Sequence, residues 1–262
     1  MIPRSYLFVP GDRPERFAKA LASGADAVIV DLEDAVAPSA KEAARDALRG
    51  WLAREEGQVV VRINAIDTPW FEADLALCQS PKVVAVMLPK AERAADLDCG
   101  GKPVLPLVET AAGIDALREL TRASKVERIV FGSIDLQLDL GISGDGEELL
   151  LFRSQIVLAS RLANLAPPVD GVSTAIDDPA QLQDDTLRAR RLGFGAKLCI
   201  HPKQVGTVNA SFSPSADEVA WARRVLDAAA NAGGAAVAVD GKMVDRPVIL
   251  RAEALLRQAS AR

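Results

Sequence analysis

Glu109 and Asp135 stand just past two apolar runs of this chain. The stretch 104–141, VLPLVETAAGIDALRELTRASKVERIVFGSIDLQLDLG, reads as strand, helix, strand, with Glu109 after 104–108 and Asp135 after 129–131. Two carboxylates at the same end of neighbouring parallel strands face one space. Mg²⁺ is commonly held through one or two carboxylates and keeps waters that a substrate can replace. Other strand ends carry Arg13, Asp31, Glu33, Asp34, Arg62, Asn64, Lys90, Ser133 and His201. Singly, most of these read as turn polarity or helix caps; together they argue for a site. In that site Glu109 and Asp135 hold a cation, while Glu33 and Asp34 hold its waters or orient its ligands. The planar guanidinium of Arg62 suits a carboxylate or an enolate oxygen. Gly132 and Ser133 offer backbone amides as an anion cradle. The set suits chemistry in which Mg²⁺ and an arginine stabilise an α-oxo or α-hydroxy acid while a C–C bond forms or breaks.

The elements that must position these residues alternate. Strand runs at 6–9, 27–30, 59–63, 83–88, 104–108, 129–131, 169–171 and 196–200 are interleaved with helical patterns at 14–21, 38–51, 70–77, 114–122, 149–165 and 179–192. Alternation of this kind gives a parallel sheet. Eight strand–helix units in roughly 200 residues fit a closed (β/α)₈ barrel, whose chemistry lies at the C-terminal strand ends. A doubly wound sheet is the rival, but no strand runs into a glycine-rich phosphate loop, and Gly193-Phe194-Gly195 precedes a strand and reads as a helix stop. The expected division is a barrel over 1–212 and an extension over 213–262. In the extension a helix at 215–232 is broken by Gly233-Gly234. Asp240-Gly241 then joins two short strands as a hairpin, and a last helix covers 248–259. A hairpin and helix are too small to stand alone, so they read as a flap on their own barrel or a neighbour.

Composition bounds the partners. Of 262 residues, 49% are hydrophobic and 26% charged, and the net charge is −5, so neither nucleic acid nor an anionic membrane is an expected partner. No apolar run approaches the ~20 residues of a membrane span, and no secretory leader is visible. Cys78, Cys99 and Cys199 share no metal-like spacing and read as reduced thiols in a cytoplasmic protein.

Several motifs in order resemble one family. They are PGDRPERFAKA (10–20), GADAVIVDLEDAVAP (24–38), VRIN (61–64), MLPKAE (87–92), PLVETAAGI (106–114), FGSIDLQLDLG (131–141), RSQIVLASR (153–161), KLCIHPKQV (197–205) and DGKMVDRPVILRAE (240–253). Together they resemble the citrate lyase β-subunit-like proteins among the HpcH/HpaI aldolases, citrate lyases and malyl-CoA lyases. The resemblance implies a Mg²⁺-dependent TIM barrel, a homotrimer or hexamer, that cleaves or forms 3-hydroxyacyl thioesters of citryl, malyl or citramalyl type, carried by coenzyme A or an acyl carrier protein. It implies Glu109 and Asp135 as metal ligands, Arg62 on the oxo-acid, and Arg13 and Lys19 on the thioester arm. It also implies an aspartate matching Asp245, supplied by a neighbouring subunit, as the group that exchanges the proton at the thioester α-carbon. An Asp before Arg-Pro at a helix start is equally a good N-cap. His201, the only histidine, could orient a loop, line the site or be structural. Asp34 stands where free-acid aldolases of the superfamily carry a histidine base, which argues for the thioester branch. The alternatives are a subunit active only in a citrate-lyase-type complex with its acyl carrier, and an oxo-acid-binding protein without turnover.

Overall fold

The computed structural model describes residues 2–54, 56–231 and 237–260. The chain divides into two compact units, Ile2–Asn209 and Ala210–Arg262. In the first, eight parallel strands close a barrel in sequence order. They are β1 Ser5–Pro10, β2 Ala27–Asp31, β3 Val59–Arg62, β4 Val83–Leu88, β5 Val104–Val108, β6 Val130–Phe131, β7 Val169–Asp170 and β8 Ala196–Cys199. β8 returns to β1, with Leu198 opposite Tyr6. These runs are rich in Val, Ile and Leu and mostly buried along their length, as strands between a packed interior and a helical layer must be. Tyr6, Ile29, Val60, Met87, Leu107, Val130 and Leu198 belong to one interior cluster, so the barrel is filled rather than hollow.

The helices are α1 Phe17–Leu21, α2 Lys41–Arg54, α3 Phe71–Leu77, α4 Ala111–Asp115, α5 Leu117–Leu120, α6 Ser133–Leu140, α7 Leu150–Leu162, α8 Pro179–Leu192, α9 Pro202–Ser211, α10 Ala216–Asn231 and α11 Arg246–Ser260. The ends of α8 follow the expected chemistry. Asp178 accepts the Gln181 N–H at 2.9 Å, Pro179 takes the first position, and Gly193 stops the helix at φ 103°. Two expected helices are broken: 14–21 begins as a 3₁₀ turn, Pro14–Arg16, and 114–122 is shared between α4 and α5.

α6 is the element that bears on the site. It starts directly after β6, so Ser133 and Asp135 lie in its first turn rather than in a strand-end loop. Gly141, at φ 67°, closes it.

In the second unit α10 and α11 flank an antiparallel pair, β9 Val237–Val239 and β10 Lys242–Val244. Asp240 and Gly241 both have positive φ, 51° and 74°, as a two-residue I′ hairpin turn requires. Ala222, Val225, Val244, Ala252 and Leu255 form this unit's core. The Gly233-Gly234 break lies outside the described residues. Among the described residues no helix is long and apolar enough to cross a membrane.

Candidate active site at the barrel mouth

Strand register brings the charged residues together. β2 and β3 pair with Asp31 opposite Arg62. The guanidinium donates from Nε to Asp31 Oδ1 at 2.7 Å and from its second terminal nitrogen to Asp31 Oδ2 at 2.6 Å. This is a two-point fork, the strongest geometry such a pair can adopt. The other terminal nitrogen lies 2.9 Å from Glu33 Oε2 and 3.3 Å from Asp34 Oδ2. The Phe8 ring lies beneath the guanidinium, 4.8 Å from its carbon. Asp31 also accepts the Glu33 and Ala35 N–H groups, which shapes the loop after β2. From α2, the buried Lys41 ammonium donates to the Leu32 and Glu33 carbonyls at 2.8 and 2.7 Å and fixes that loop from behind.

Register explains the second half of the site as well. Val108 pairs with Phe131, so the next residues, Glu109 and Gly132, lie side by side. The Gly132 N–H donates to the Val108 carbonyl at 2.9 Å. A Cβ on Gly132 would overlap Glu109 Cβ and come within 2.6 Å of its Oε2. Only glycine leaves room for this carboxylate. The other oxygen, Oε1, accepts the Lys90 N–H at 2.8 Å. Lys90 has φ 48°, a left-handed conformation that strains a residue bearing a Cβ and turns this amide toward Glu109. On the far side, a Cβ on Gly171 would overlap Ser133 Oγ. That hydroxyl is buried and has no hydrogen-bond partner among the described residues.

Asp31, Asp34, Arg62, Glu109, Gly132, Ser133 and Asp135 line one cavity of about 390 Å³, walled by Phe8, Leu107, Phe131 and Leu198. Its electrostatics are one-sided. Burial, with the nearby Glu33 charge next, pushes the Glu109 carboxyl up to about 8; Asp135 adds to this and the Lys90 amide opposes it. Burial pushes Glu33 up to about 7, with Arg62 opposing. Burial and the charge of Asp34 raise Asp135. Burial keeps these acids from ionising despite the nearby Arg62 charge, and a bound divalent cation would offset that penalty. Among the described residues no group of three or more His, Cys, Asp or Glu side chains is arranged to hold a metal. The oxygen-only donors Glu109 and Asp135 fit the smaller requirement of Mg²⁺, which takes one or two carboxylates and completes its shell with water and substrate.

Two results follow from this geometry. Gly132→Ala drives a methyl into Glu109; it lowers Mg²⁺ affinity and turnover by at least about tenfold while the barrel stays folded. Calorimetric Mg²⁺ titration of the folded variant checks this, and wild-type affinity would refute it. The second result concerns pH. At pH 4 Glu109 is protonated in both the folded and the unfolded chain. Between about 4.5 and about 8 only the unfolded chain gives up this proton, so the folded state loses stability as pH rises and the loss is complete above 8. Glu33 adds in the same direction up to about 7. In EDTA, melting temperature therefore drops by roughly 5–10 °C from pH 5.5 to pH 8, and Glu109→Gln flattens the decline. An equal decline in the variant would assign the effect elsewhere.

Not every residue singled out in the sequence reaches the cavity. Arg13 and Lys19 are exposed and outside its lining. His201 immediately precedes α9: its Nδ1 accepts the Lys203 N–H at 3.1 Å and its own backbone N–H donates to Gln204 Oε1. In the C-terminal unit, exposed Asp245 accepts the Val248 N–H on Oδ1 at 3.2 Å, the hydrogen bond of a helix cap. Arg62, read in the sequence as suited to a carboxylate or an enolate oxygen, already has two of its five N–H donors on Asp31. The anchoring role of Asp31 and the Lys90 amide went unrecognised. Their only sequence signals are an acid and an arginine closing consecutive strand runs, and a lysine after Leu88-Pro89.

Fold and cavity together define a class, a (β/α)₈ barrel with an acid-rich cup at the C-terminal ends of its strands. The chain belongs to the HpcH/HpaI aldolase/citrate lyase family, whose model matches residues 4–202. It is 40% identical to a citrate lyase subunit beta-like protein of Deinococcus radiodurans, over 97% of this chain and 96% of the relative. It is 36% identical to a (3S)-malyl-CoA thioesterase of Cereibacter sphaeroides, over 98% and 95%. Among solved structures, protein CitE from Mycobacterium tuberculosis in complex with magnesium, acetoacetate and coenzyme A superimposes with a TM-score of 0.89 at 40% identity, covering 98% of each chain.

Proposed function

We propose that this chain is a Mg²⁺-dependent carbon–carbon lyase. It cleaves or forms a 3-hydroxyacyl thioester of citryl, malyl or citramalyl type, giving an oxo-acid and an acyl thioester. The observation that carries this reading is the pair of adjacent, ionisation-resisting carboxylates, Glu109 and Asp135, in one cavity with a carboxylate-anchored arginine. The relative solved with magnesium, an oxo-acid and coenzyme A supports it.

Glu109 and Asp135 hold the cation, with Glu33 orienting its surroundings. When bound, Mg²⁺ supplies Lewis acidity at the substrate's hydroxyl and carboxylate oxygens. The Ser133 amide and the Ser133 hydroxyl, which has no partner among the described residues, receive the substrate carboxylate; the Gly132 amide is held by the Val108 carbonyl. Asp34, exposed on the cavity lining and 3.3 Å from Arg62, receives the hydroxyl proton. Arg62 offsets the charge on the substrate's alkoxide oxygen once its proton has left, before the C–C bond breaks and the electron pair passes to the thioester enolate, and its Asp31 fork prevents it from turning away. Arg13 and Lys19, both exposed cations, hold the thioester arm. Asp245, on a flap supplied by a neighbouring subunit of a trimer or a dimer of trimers, protonates the thioester α-carbon. The buried thiols Cys78, Cys99 and Cys199 suit a reducing cytoplasm.

The test is a panel of malyl-, citramalyl- and citryl-CoA, with and without Mg²⁺, scoring released oxo-acid. Metal-dependent oxo-acid from at least one thioester is expected, and none from any would defeat the proposal. Free coenzyme A without oxo-acid would mark thioester hydrolysis, the reading favoured by the thioesterase relative. Asp245→Asn should keep oxo-acid binding within about twofold while solvent-proton exchange at the thioester α-carbon falls at least about a hundredfold. Unchanged exchange would leave Asp245 as a helix cap alone.

A further inference from the structure

Arg153 and Lys197 open two of the motif segments, RSQIVLASR and KLCIHPKQV, yet neither side chain lines the cavity. Both are buried, at 1% and 0% exposure. Val169, Ala196 and Leu198 belong to the barrel's interior cluster, so Asp170 and Lys197, which alternate with them, point outward beneath the helices. Register sets these two opposite each other on β7 and β8. The Lys197 ammonium lies 3.5 Å from Asp170 Oδ2, and Arg153, on α7, donates to Asp170 Oδ1 at 2.9 Å. The terminal nitrogens of Arg153 donate to the Asp145 carbonyl and carboxylate at 2.8 and 2.7 Å, so two cations meet two acids. Burial alone would push the Asp170 carboxyl up, but Lys197 and Arg153 hold it below the ordinary carboxylate range.

Stability does not require such a cluster. Buried charges lose their hydration, and apolar side chains of similar volume often serve as well or better. What an apolar residue at 197 cannot supply is a hydrogen-bond donor. Lys197 donates to the Gly171 carbonyl at 2.7 Å. Gly171 is the first residue past β7, and a Cβ there would come within 2.3 Å of Ser133 Oγ. The next residue, Val172, lines the cavity. Lys197 therefore grips, from outside the barrel, the residue that packs against the Ser133 hydroxyl. We propose that Lys197 is a positioning residue for the oxo-acid. Through Gly171 it fixes where Ser133 Oγ meets the substrate carboxylate, and Asp170 and Arg153 hold the ammonium in place. This role rests on the proposed function, which puts that carboxylate at Ser133.

Calorimetric titration of the Mg²⁺-loaded full chain tests it, with pyruvate, glyoxylate or oxaloacetate, whichever the wild type holds most tightly. Lys197→Met weakens oxo-acid binding at least about tenfold, while Mg²⁺ affinity measured without oxo-acid stays within about twofold. Lys197→Gln keeps an N–H donor for Gly171 and recovers part of the loss. Ser133→Ala weakens binding too. Adding Lys197→Met to it weakens binding by less than about a further twofold, because the lysine acts only through that hydroxyl. Should Lys197→Met not fold, Asp170→Asn/Lys197→Met leaves Arg153 paired with Asp145 and no stranded acid, and is read in the same way. Mg²⁺ and oxo-acid affinity falling together, no loss in Lys197→Met, or losses that multiply in the Ser133 background would overturn the role of Lys197 alone. No oxo-acid binding by the wild type would overturn the proposed function and this role with it.

Discussion

Asp135→Asn and Glu109→Gln each remove Mg²⁺-dependent turnover, by at least about a hundredfold, without unfolding the protein. For Glu109 the effect on stability has the opposite sign to the effect on activity. Its carboxyl is buried beside Glu33 and Asp135 and resists ionisation up to about 8. Gln occupies nearly the same volume and keeps an oxygen for the Lys90 N–H, which Glu109 Oε1 accepts at 2.8 Å. It carries no charge for burial to penalise. In EDTA at pH 8 the variant therefore melts at or above the wild type, whereas with saturating Mg²⁺ the wild type gains and the variant does not. A simple loss of packing would lower activity and melting temperature together. Melting curves with and without Mg²⁺, measured beside turnover, separate the two. A variant that keeps its Mg²⁺-dependent gain would remove Glu109 from the metal site.

Asp31→Ala is expected to cause the largest loss of stability at the site. It removes two short hydrogen bonds from Arg62, a residue only 8% exposed, together with the acceptors of the Glu33 and Ala35 amides. Breaking a buried ion pair from one side costs about 3–5 kcal/mol because the remaining charge stays desolvated. Glu33 and Asp34 still face Arg62 and recover part of that. The arginine that remains can swing toward them, so oxo-acid affinity falls with stability. Asp31→Asn keeps the shape and loses the charge, and falls between the two. Urea unfolding midpoints measure the first effect and KM for the oxo-acid in the condensation direction the second. A cost below about 1 kcal/mol would show that Asp31 is not the anchor.

The sequence disclosed the barrel because its strands are buried on both faces. Runs such as 104–108 and 83–88 are continuous in apolar residues and end at turn chemistry, so counting them gives the architecture. α6 was hidden for the opposite reason. In Ser133–Leu140 the apolar residues fall at Ile134, Leu136, Leu138 and Leu140, an alternation that reads as strand, yet the segment is helical and Leu136 is its only buried leucine. Tertiary position decided that segment. Gly132 must sit beside Glu109, and Gly141 ends the helix in a conformation that favours glycine. The acids and the arginine were visible as residues, but their partners were not. That Asp31 meets Arg62 depends on the register of β2 against β3, and that Lys90 faces Glu109 depends on one backbone angle. Neither is written in local pattern. Asp245 shows the remaining limit, since cap and proton donor demand the same residue at the same place.

A titration with Mn²⁺ as a spin probe tests the metal site most directly. Electron paramagnetic resonance should count one ion bound per wild-type chain, displaced by Mg²⁺ and held more tightly when an oxo-acid is added. Glu109→Gln and Asp135→Asn should each abolish that site. One ion per chain in both variants, bound with wild-type affinity, would contradict the assignment of this pair.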